Sequence, residues 1–169
     1  MDFVVLHGDS AFKEMFPISH QRKHAGSYGQ DCFDDMIYLL RMYCGGYTRD
    51  KLSDNRTYLV FYEQQSFEYP YGENEDGTQA YSKYDGPMPI GVLKLSERDD
   101  GIVLCYVTVS MFHRNCGIAT KLIGKLEEWL IDNKVTKLLR TAPSEMGLLY
   151  TAEKISAMLT SNNITFEFV

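Results

Sequence analysis

The chain has 169 residues, of which 44% are hydrophobic and 24% charged, as expected for one globular domain with a sizeable core. Its formal charge of −6 argues against a dedicated nucleic-acid-binding protein, which would carry a basic surface. The sequence contains no apolar segment long enough to cross a membrane and no basic leader before its first strand. We therefore expect a cytoplasmic protein with reduced cysteines and with neither nucleic-acid nor membrane partners.

The first part of the chain predicts one strand followed by two helices. Residues 2–6 form a short strand pattern, and either Asp9 or Ser10 is a suitable N-cap for the first helix. A second helix is predicted over 31–46, because its apolar residues recur on one helical face until two glycines end it.

The middle of the chain predicts three consecutive strands, at 57–63, 89–96 and 102–110. The first two are separated by an insertion at about 64–88, which is acidic, rich in tyrosine and interrupted by glycine and proline. This composition predicts a long loop. Its carboxylates and aromatic rings would suit a cationic amine, and a solvated loop without a binding role is the alternative.

The last part of the chain predicts helices and strands in alternation. A helix follows Gly117, a strand spans 136–142, another helix begins at Ser144, and residues 164–169 alternate as a final strand. The predicted order is β-α-α-β-β-β-α-β-α-β. It indicates a single α/β (α+β) domain over residues 1–169 with a mixed sheet.

The junction between the strand at 102–110 and the following helix predicts an anion site. A strand that leads directly into a helix leaves the first helical N–H groups without partners, and the helix dipole attracts anions there. Gly117 would let a phosphate approach the backbone, with Arg114 beside it. The spacing fits neither a P-loop nor a dinucleotide fingerprint. A diphosphate is the predicted occupant; the alternative is a glycine that only eases a tight turn.

This junction resembles the most characteristic segment of the GNAT family of N-acetyltransferases. In that family a strand ending in Val-x-Val is followed by Arg/Gln-x-x-Gly-x-Gly/Ala at the start of a helix. The matching residues here are Val107-Thr108-Val109 and Arg114-Asn115-Cys116-Gly117-Ile118-Ala119. The resemblance implies a mixed, mostly antiparallel sheet flanked by helices, with acetyl-CoA as cosubstrate and no metal.

The resemblance also assigns roles to individual residues. The amides from Asn115 to Thr120 would bind the diphosphate of acetyl-CoA, Arg114 would help to hold it, and the strand at 107–109 would pair with the pantetheine arm. The implied cofactor-binding residues are Val107, Thr108, Val109, Arg114, Asn115, Cys116, Gly117, Ile118, Ala119 and Thr120.

The chemistry is implied by a shorter match. Many family members carry an asparagine after the next strand and, seven residues later, a tyrosine that acts as general acid. Tyr150 fits the tyrosine, but Pro143 occupies the place of the asparagine, where Ser144 is a candidate substitute. The resemblance implies direct acetyl transfer, in a ternary complex, to the primary amine of a small cationic molecule or a protein. A catalytically inactive interaction or structural module is the alternative.

Other residues of the sequence are weaker candidates for a functional site. The pair His20 and His24 has the spacing of two metal ligands, but lacks an adjacent acidic or cysteine ligand. Cys105 lies in an apolar segment, which favours a core thiol over an acetyl carrier. No general base is evident on the central strand. The chain also ends one strand earlier than many relatives, and a homodimer is one arrangement that would supply the missing edge.

Overall fold

The computed structural model describes residues 1–16, 54–140 and 146–168, so the helix predicted over 31–46 and the pair His20 and His24 lie outside the described residues. The described strands are β1 (Asp2–His7), β2 (Arg56–Glu73), β3 (Gln79–Arg98), β4 (Gly101–Val109), β5 (Lys137–Arg140) and β6 (Thr165–Phe168). The described α-helices are α1 (Gly8–Met15), α2 (Ile118–Asp132) and α3 (Met146–Ser161).

The six strands form one sheet in the order β1-β2-β3-β4-β5-β6. Neighbours from β1 to β4 are antiparallel, whereas β4-β5 and β5-β6 are parallel. The two parallel connections run through helices, as parallel neighbours require. The predicted mixed, mostly antiparallel sheet flanked by helices is therefore confirmed.

Successive side chains along the central strands point to opposite sides of the sheet, and both sides are apolar. On β2, Leu59 and Phe61 face the cluster that contains the buried residues of α2 and α3, whereas Tyr58 and Val60 face a second cluster with α1. The apolar face of α2 is buried, with Ile118, Leu122, Leu126, Trp129 and Leu130 on it. Within the described ranges, no helix has the length and apolar character needed to cross a membrane.

The first helix begins differently from the prediction. Neither Asp9 nor Ser10 caps it: the N-cap position is His7, and Asp9 lies buried within the first turn. The Asp9 carboxylate accepts hydrogen bonds from the Arg56 guanidinium and the Tyr58 hydroxyl, both at 2.6 Å. A buried carboxylate needs such partners, and here they join α1 to β2 instead of capping the helix.

The insertion predicted as a loop is a β-hairpin. β2 and β3 remain paired from Arg56 and Ser96 at one end to Glu73 and Gln79 at the other. The turn between them is closed by a 2.7 Å bond from the Asn74 N–H to the Thr78 carbonyl. The sequence does contain a strand pattern here, since aromatic residues at 67, 69 and 71 alternate with other residues at period two. The loop-like composition of the segment outweighed this pattern in the prediction.

The hairpin extends beyond the rest of the sheet. The β1 partners on β2 end at Tyr62, and the β4 partners on β3 end at Gly91. Because β2 and β4 run in the same direction, the outer part of the hairpin passes the end at which β4 stops. The hairpin therefore stands beside the junction between β4 and α2.

Candidate cofactor site

The site begins where β4 separates from β5. Ile102, Val103 and Leu104 pair with β5, whereas among the described residues the rest of β4 pairs with β3 alone. The separation starts at a β-bulge, since Lys94 pairs with Tyr106 and Leu95 with Leu104, which leaves Cys105 without an opposite residue. A bulge bends its strand, and within the described residues the backbone edge at 107–109 is then left for another partner.

A short turn carries the chain from this edge to the next element. The Ser110 N–H donates to the Ile90 carbonyl at 2.8 Å, and the His113 N–H donates to the Ser110 carbonyl at 2.9 Å. Between them Met111–His113 forms one turn of 3-10 helix. The first bond ties the turn to β3 and the second closes it, so the loop that follows starts from a fixed point.

The loop at 114–117 has the shape of an anion-binding turn. Asn115 and Gly117 adopt left-handed backbone conformations, with φ of 62° and 77°, and all four residues are exposed. Alternating backbone conformations of this kind turn successive N–H groups towards a common concavity. Gly117 is well suited here, because a left-handed φ strains most other residues.

The loop leads directly into an uncapped helix. No side chain caps α2 in the described part of the chain, and Lys121 N–H makes a helical bond to the Gly117 carbonyl at 3.0 Å. The N–H groups of Ile118, Ala119 and Thr120 precede that bond and have no acceptor within the helix. Together with the positive end of the helix dipole, they favour a bound anion.

The space in front of the loop is open. A Cβ built on Gly117 meets no heavy atom within 4 Å among the described residues, its chain neighbours aside. The loop can therefore be approached closely by a ligand. The residue types suit a diphosphate, because free amides and the exposed Arg114 are all hydrogen-bond donors.

A cation that the sequence did not reveal lies near the first turn of α2. The Lys154 ammonium donates to the Thr120 hydroxyl at 3.3 Å and so brings a positive charge from α3. The two residues are far apart in sequence, and no local pattern links them. By contrast, Lys125 contacts the Glu128 carboxylate at 2.5 Å and lies 5.4 Å from the Phe3 ring centroid.

The structure describes the backbone position of the predicted general acid, Tyr150, but not its side chain. Tyr150 lies in α3, whose buried residues Ile155 and Leu159 pack in the same apolar cluster as α2. The Tyr150 side chain lies outside the described residues, as do Pro143 and Ser144. Its catalytic role stays a prediction.

The surroundings of the Cys105 thiol and of the carboxylates near β4 do not favour a catalytic role. Burial raises the pKa of the Cys105 thiol, which makes it a poorer nucleophile at neutral pH. Glu97, near the end of β3, and Asp99 and Asp100, in the turn that follows, are exposed. Within the described residues, no group of His, Cys, Asp and Glu side chains could hold a metal ion.

Known proteins provide an independent comparison. The sequence matches the model of the Acetyltransferase (GNAT) family over residues 40–153. No curated protein sequence matches the chain.

The chain is also similar to several solved structures, including the following three. The first is a putative acetyl transferase from Pyrococcus furiosus, with 13% identity, 90% of this chain and 91% of that chain covered, and a TM-score of 0.40. An aminoglycoside acetyltransferase from an uncultured soil metagenomic sample has 18% identity, coverage of 87% and 84%, and a TM-score of 0.44. An aminoglycoside 6′-N-acetyltransferase from Acinetobacter baumannii has 14% identity, coverage of 93% and 89%, and a TM-score of 0.38.

Proposed function

Because the chain belongs to the GNAT family of acetyltransferases, we propose that it moves the acetyl group of acetyl-CoA to a primary amine. The proposal is carried by the uncapped N-terminus of α2, which follows an open, doubly left-handed loop at the end of a strand with a free edge. An anion site and a strand edge in direct succession suit a ligand with a diphosphate and an amide-bearing arm.

The chain's own residues would divide the binding of acetyl-CoA between them. The amides at 115–120 would donate hydrogen bonds to the diphosphate, with Arg114 and Lys154 adding positive charge. The backbone edge at 107–109 would pair with the amides of the pantetheine arm, as one strand pairs with another.

The chemistry then requires little from the protein. Bound acetyl-CoA supplies a thioester whose carbonyl carbon accepts the lone pair of the amine, after which the C–S bond breaks. A backbone N–H near Val109 would donate to the carbonyl oxygen as it becomes negative. Tyr150 would donate its hydroxyl proton to the departing thiolate, and the amine proton passes to solvent or to a base. Alignment of the two reactants accounts for much of the rate.

The acceptor that fits best is a cationic amine. The outer part of the hairpin, residues 64–88, stands beside the β4–α2 junction and carries exposed carboxylates at Glu68, Glu73, Glu75, Asp76 and Asp85, with Lys83 as its one lysine. An acidic wall would attract a polyamine, an aminoglycoside or a lysine side chain by long-range electrostatics.

A screen for thiol release tests this function. Purified protein and acetyl-CoA are incubated with polyamines, aminoglycosides, lysine peptides and neutral amines, and free CoA is measured with a thiol reagent against a control without amine. We expect release above that background with at least one cationic amine. Native mass spectrometry on the same sample should show bound CoA. The absence of both turnover with any amine and CoA binding would contradict the proposal, whereas binding without turnover would indicate the inactive module.

A further inference from the structure

The outer part of β3 has an open backbone edge on the side where β4 ends. β3 pairs with β4 as far as Gly91, and one further bond, from the Ser110 N–H to the Ile90 carbonyl, closes the contact. The chain then leaves this edge and crosses towards β2, since the His113 Nε2 atom lies 3.6 Å from the Glu63 carboxylate. Beyond that point β3 pairs with β2 alone within the described ranges, so its other edge is left for a partner.

Two prolines show which backbone groups this edge presents. Pro87 and Pro89 both pair with residues of β2, although proline has no N–H to donate to a neighbouring strand. They therefore occupy positions whose backbone groups point away from β2. The register continues without a shift to Tyr81, so Tyr81, Lys83 and Asp85 point the same way. Each of these three residues presents an N–H and a C=O to the open edge, whereas each proline presents only a C=O.

Exposure and charge indicate what kind of partner fits this edge. Tyr81 is 65% exposed, and the side chains of Lys83 and Asp85 are also exposed, so the edge is accessible. The outer hairpin at 64–88 carries five carboxylates and one lysine. The hairpins of two copies of this chain would therefore repel each other, whereas a basic strand would be attracted.

We propose that the acceptor is a lysine side chain in an extended, basic peptide segment, which pairs with the β3 edge at 81–85 as an added strand. This inference rests on the proposed function and narrows its acceptor from cationic amines in general to a segment of a protein. A two-stranded ribbon is only marginally stable by itself. A third strand adds main-chain hydrogen bonds, and the acidic hairpin selects for positive charge in it.

The direction of the edge leads the peptide to the cofactor. From Asp85 to Gly91, β3 runs roughly 20 Å towards the end of β4. A peptide that follows this edge brings a lysine, about six residues beyond its paired part, to the proposed position of the thioester beside 107–109. The neutral lysine amine attacks the thioester carbon and the C–S bond breaks. The amine loses one proton and the thiolate gains one, which gives acetyl-lysine and the thiol of CoA.

Peptides with methylated backbone nitrogens test the strand pairing. The probe is a peptide of about ten residues, capped at both ends, with one lysine, several arginines, and otherwise valine and threonine. A strand that pairs along one edge uses only alternate N–H groups. N-methylation of one alternate set should therefore raise KM by about tenfold, the scale of two net hydrogen bonds, and the other set should leave KM unchanged. Thiol release at saturating acetyl-CoA measures both.

Two substitutions at one position test the edge of the protein. Lys83→Pro removes the outward N–H without removing a bond to β2, and should raise KM for the peptide by about fivefold. Lys83→Gln removes the same charge but keeps the N–H, and should lower KM by about twofold. Both variants should bind CoA like the unmodified protein, because position 83 lies outside the cofactor loop. If Lys83→Pro fails to bind CoA, its fold is lost and the methylated peptides decide.

The possible results separate the inference from the function on which it rests. Equal KM values for the two methylated peptides would overturn the inference, as would equal KM values for CoA-binding Lys83→Pro and Lys83→Gln. Turnover of polyamines or aminoglycosides without turnover of the peptide would also overturn it, while leaving acetyl transfer to an amine intact. Absence of both CoA binding and turnover with every amine would instead reject the proposed function.

Discussion

Gly91 of β3 lies directly beneath Ile118, the first residue of α2, so that a Cβ on Gly91 would come within 2.5 Å of the Ile118 Cγ2 atom. The start of α2, and with it the anion site, is therefore set by a close approach that only glycine permits. We expect Gly91→Ala to lower the free energy of unfolding by about 1–3 kcal/mol, the usual cost of overpacking. It should also weaken CoA binding, because Ile118 must move. Urea denaturation and calorimetry measure the two effects.

A second glycine provides the matched control. Gly124 lies in the interior of α2, and a Cβ there would meet nothing within 4 Å in the described part of the chain. Gly124→Ala should raise the free energy of unfolding by about 0.5–1 kcal/mol through helix propensity. CoA affinity should not change. If Gly91→Ala and Gly124→Ala had equal free energies of unfolding, the contact between Gly91 and Ile118 would not constrain the packing of α2.

Gly117 tests the anion site itself. Its φ of 77° makes any substitution strained, but the space for a side chain is open, so the fold should survive. Gly117→Ala adds only the strain, about 1–2 kcal/mol, and should reduce CoA affinity modestly. Gly117→Glu adds the same strain and a negative charge beside the diphosphate, and should weaken binding by about 100-fold or more. Normal CoA binding by Gly117→Glu would place the anion site elsewhere.

The cofactor junction could be predicted because its signals are local. The β-branched strand, the single glycine and the apolar face of α2 lie within one continuous segment, and the structure places β4, the loop and α2 in that order. The features that were missed depend on distant residues. Lys154 approaches Thr120 from another helix, and Glu63 meets His113 from another strand. Neither pair leaves a periodic pattern in the sequence.

The hairpin was missed for a different reason. Glycine, proline and acidic residues are typical of loops, and they outweighed the alternating aromatic residues at 67, 69 and 71. Whether such a segment forms a strand or a loop depends on pairing with a neighbouring strand, and composition does not reveal that partner. Asp9 was likewise assigned to a helix cap from its position, whereas the buried partners Arg56 and Tyr58 determine its role.

Two cysteines of unequal reactivity report on the cofactor loop. Cys116 is exposed between Asn115 and Gly117, whereas burial raises the pKa of Cys105 and reduces its thiolate fraction at a given pH. Iodoacetamide at neutral pH should therefore label Cys116 before Cys105, as peptide mass spectrometry can show. CoA in excess should slow labelling of Cys116 by roughly the ratio of its concentration to its Kd. Labelling of Cys105 should be slow with or without CoA.

The outcome is informative in both directions. Labelling of Cys116 at the same rate with saturating CoA would mean that the ligand does not cover the loop. Cys116→Ser offers a control, because it keeps a small polar side chain and should bind CoA normally if the backbone amides at 115–120 hold the diphosphate. A strong loss of affinity in Cys116→Ser would instead indicate that the thiol itself contacts the ligand.

The last prediction concerns the proton given to the departing thiolate. Tyr150→Phe removes one hydroxyl from α3 and should lower kcat by about 10²-fold, the lower end of general acid catalysis. CoA affinity should stay unchanged, because the loop at 114–120 holds the phosphates. If the hydroxyl served only a structural hydrogen bond, the change would appear as about 1 kcal/mol of lost stability with kcat intact. Steady-state kinetics and thermal denaturation of the same preparation separate these cases, and unaltered kcat in Tyr150→Phe would leave water as the proton donor.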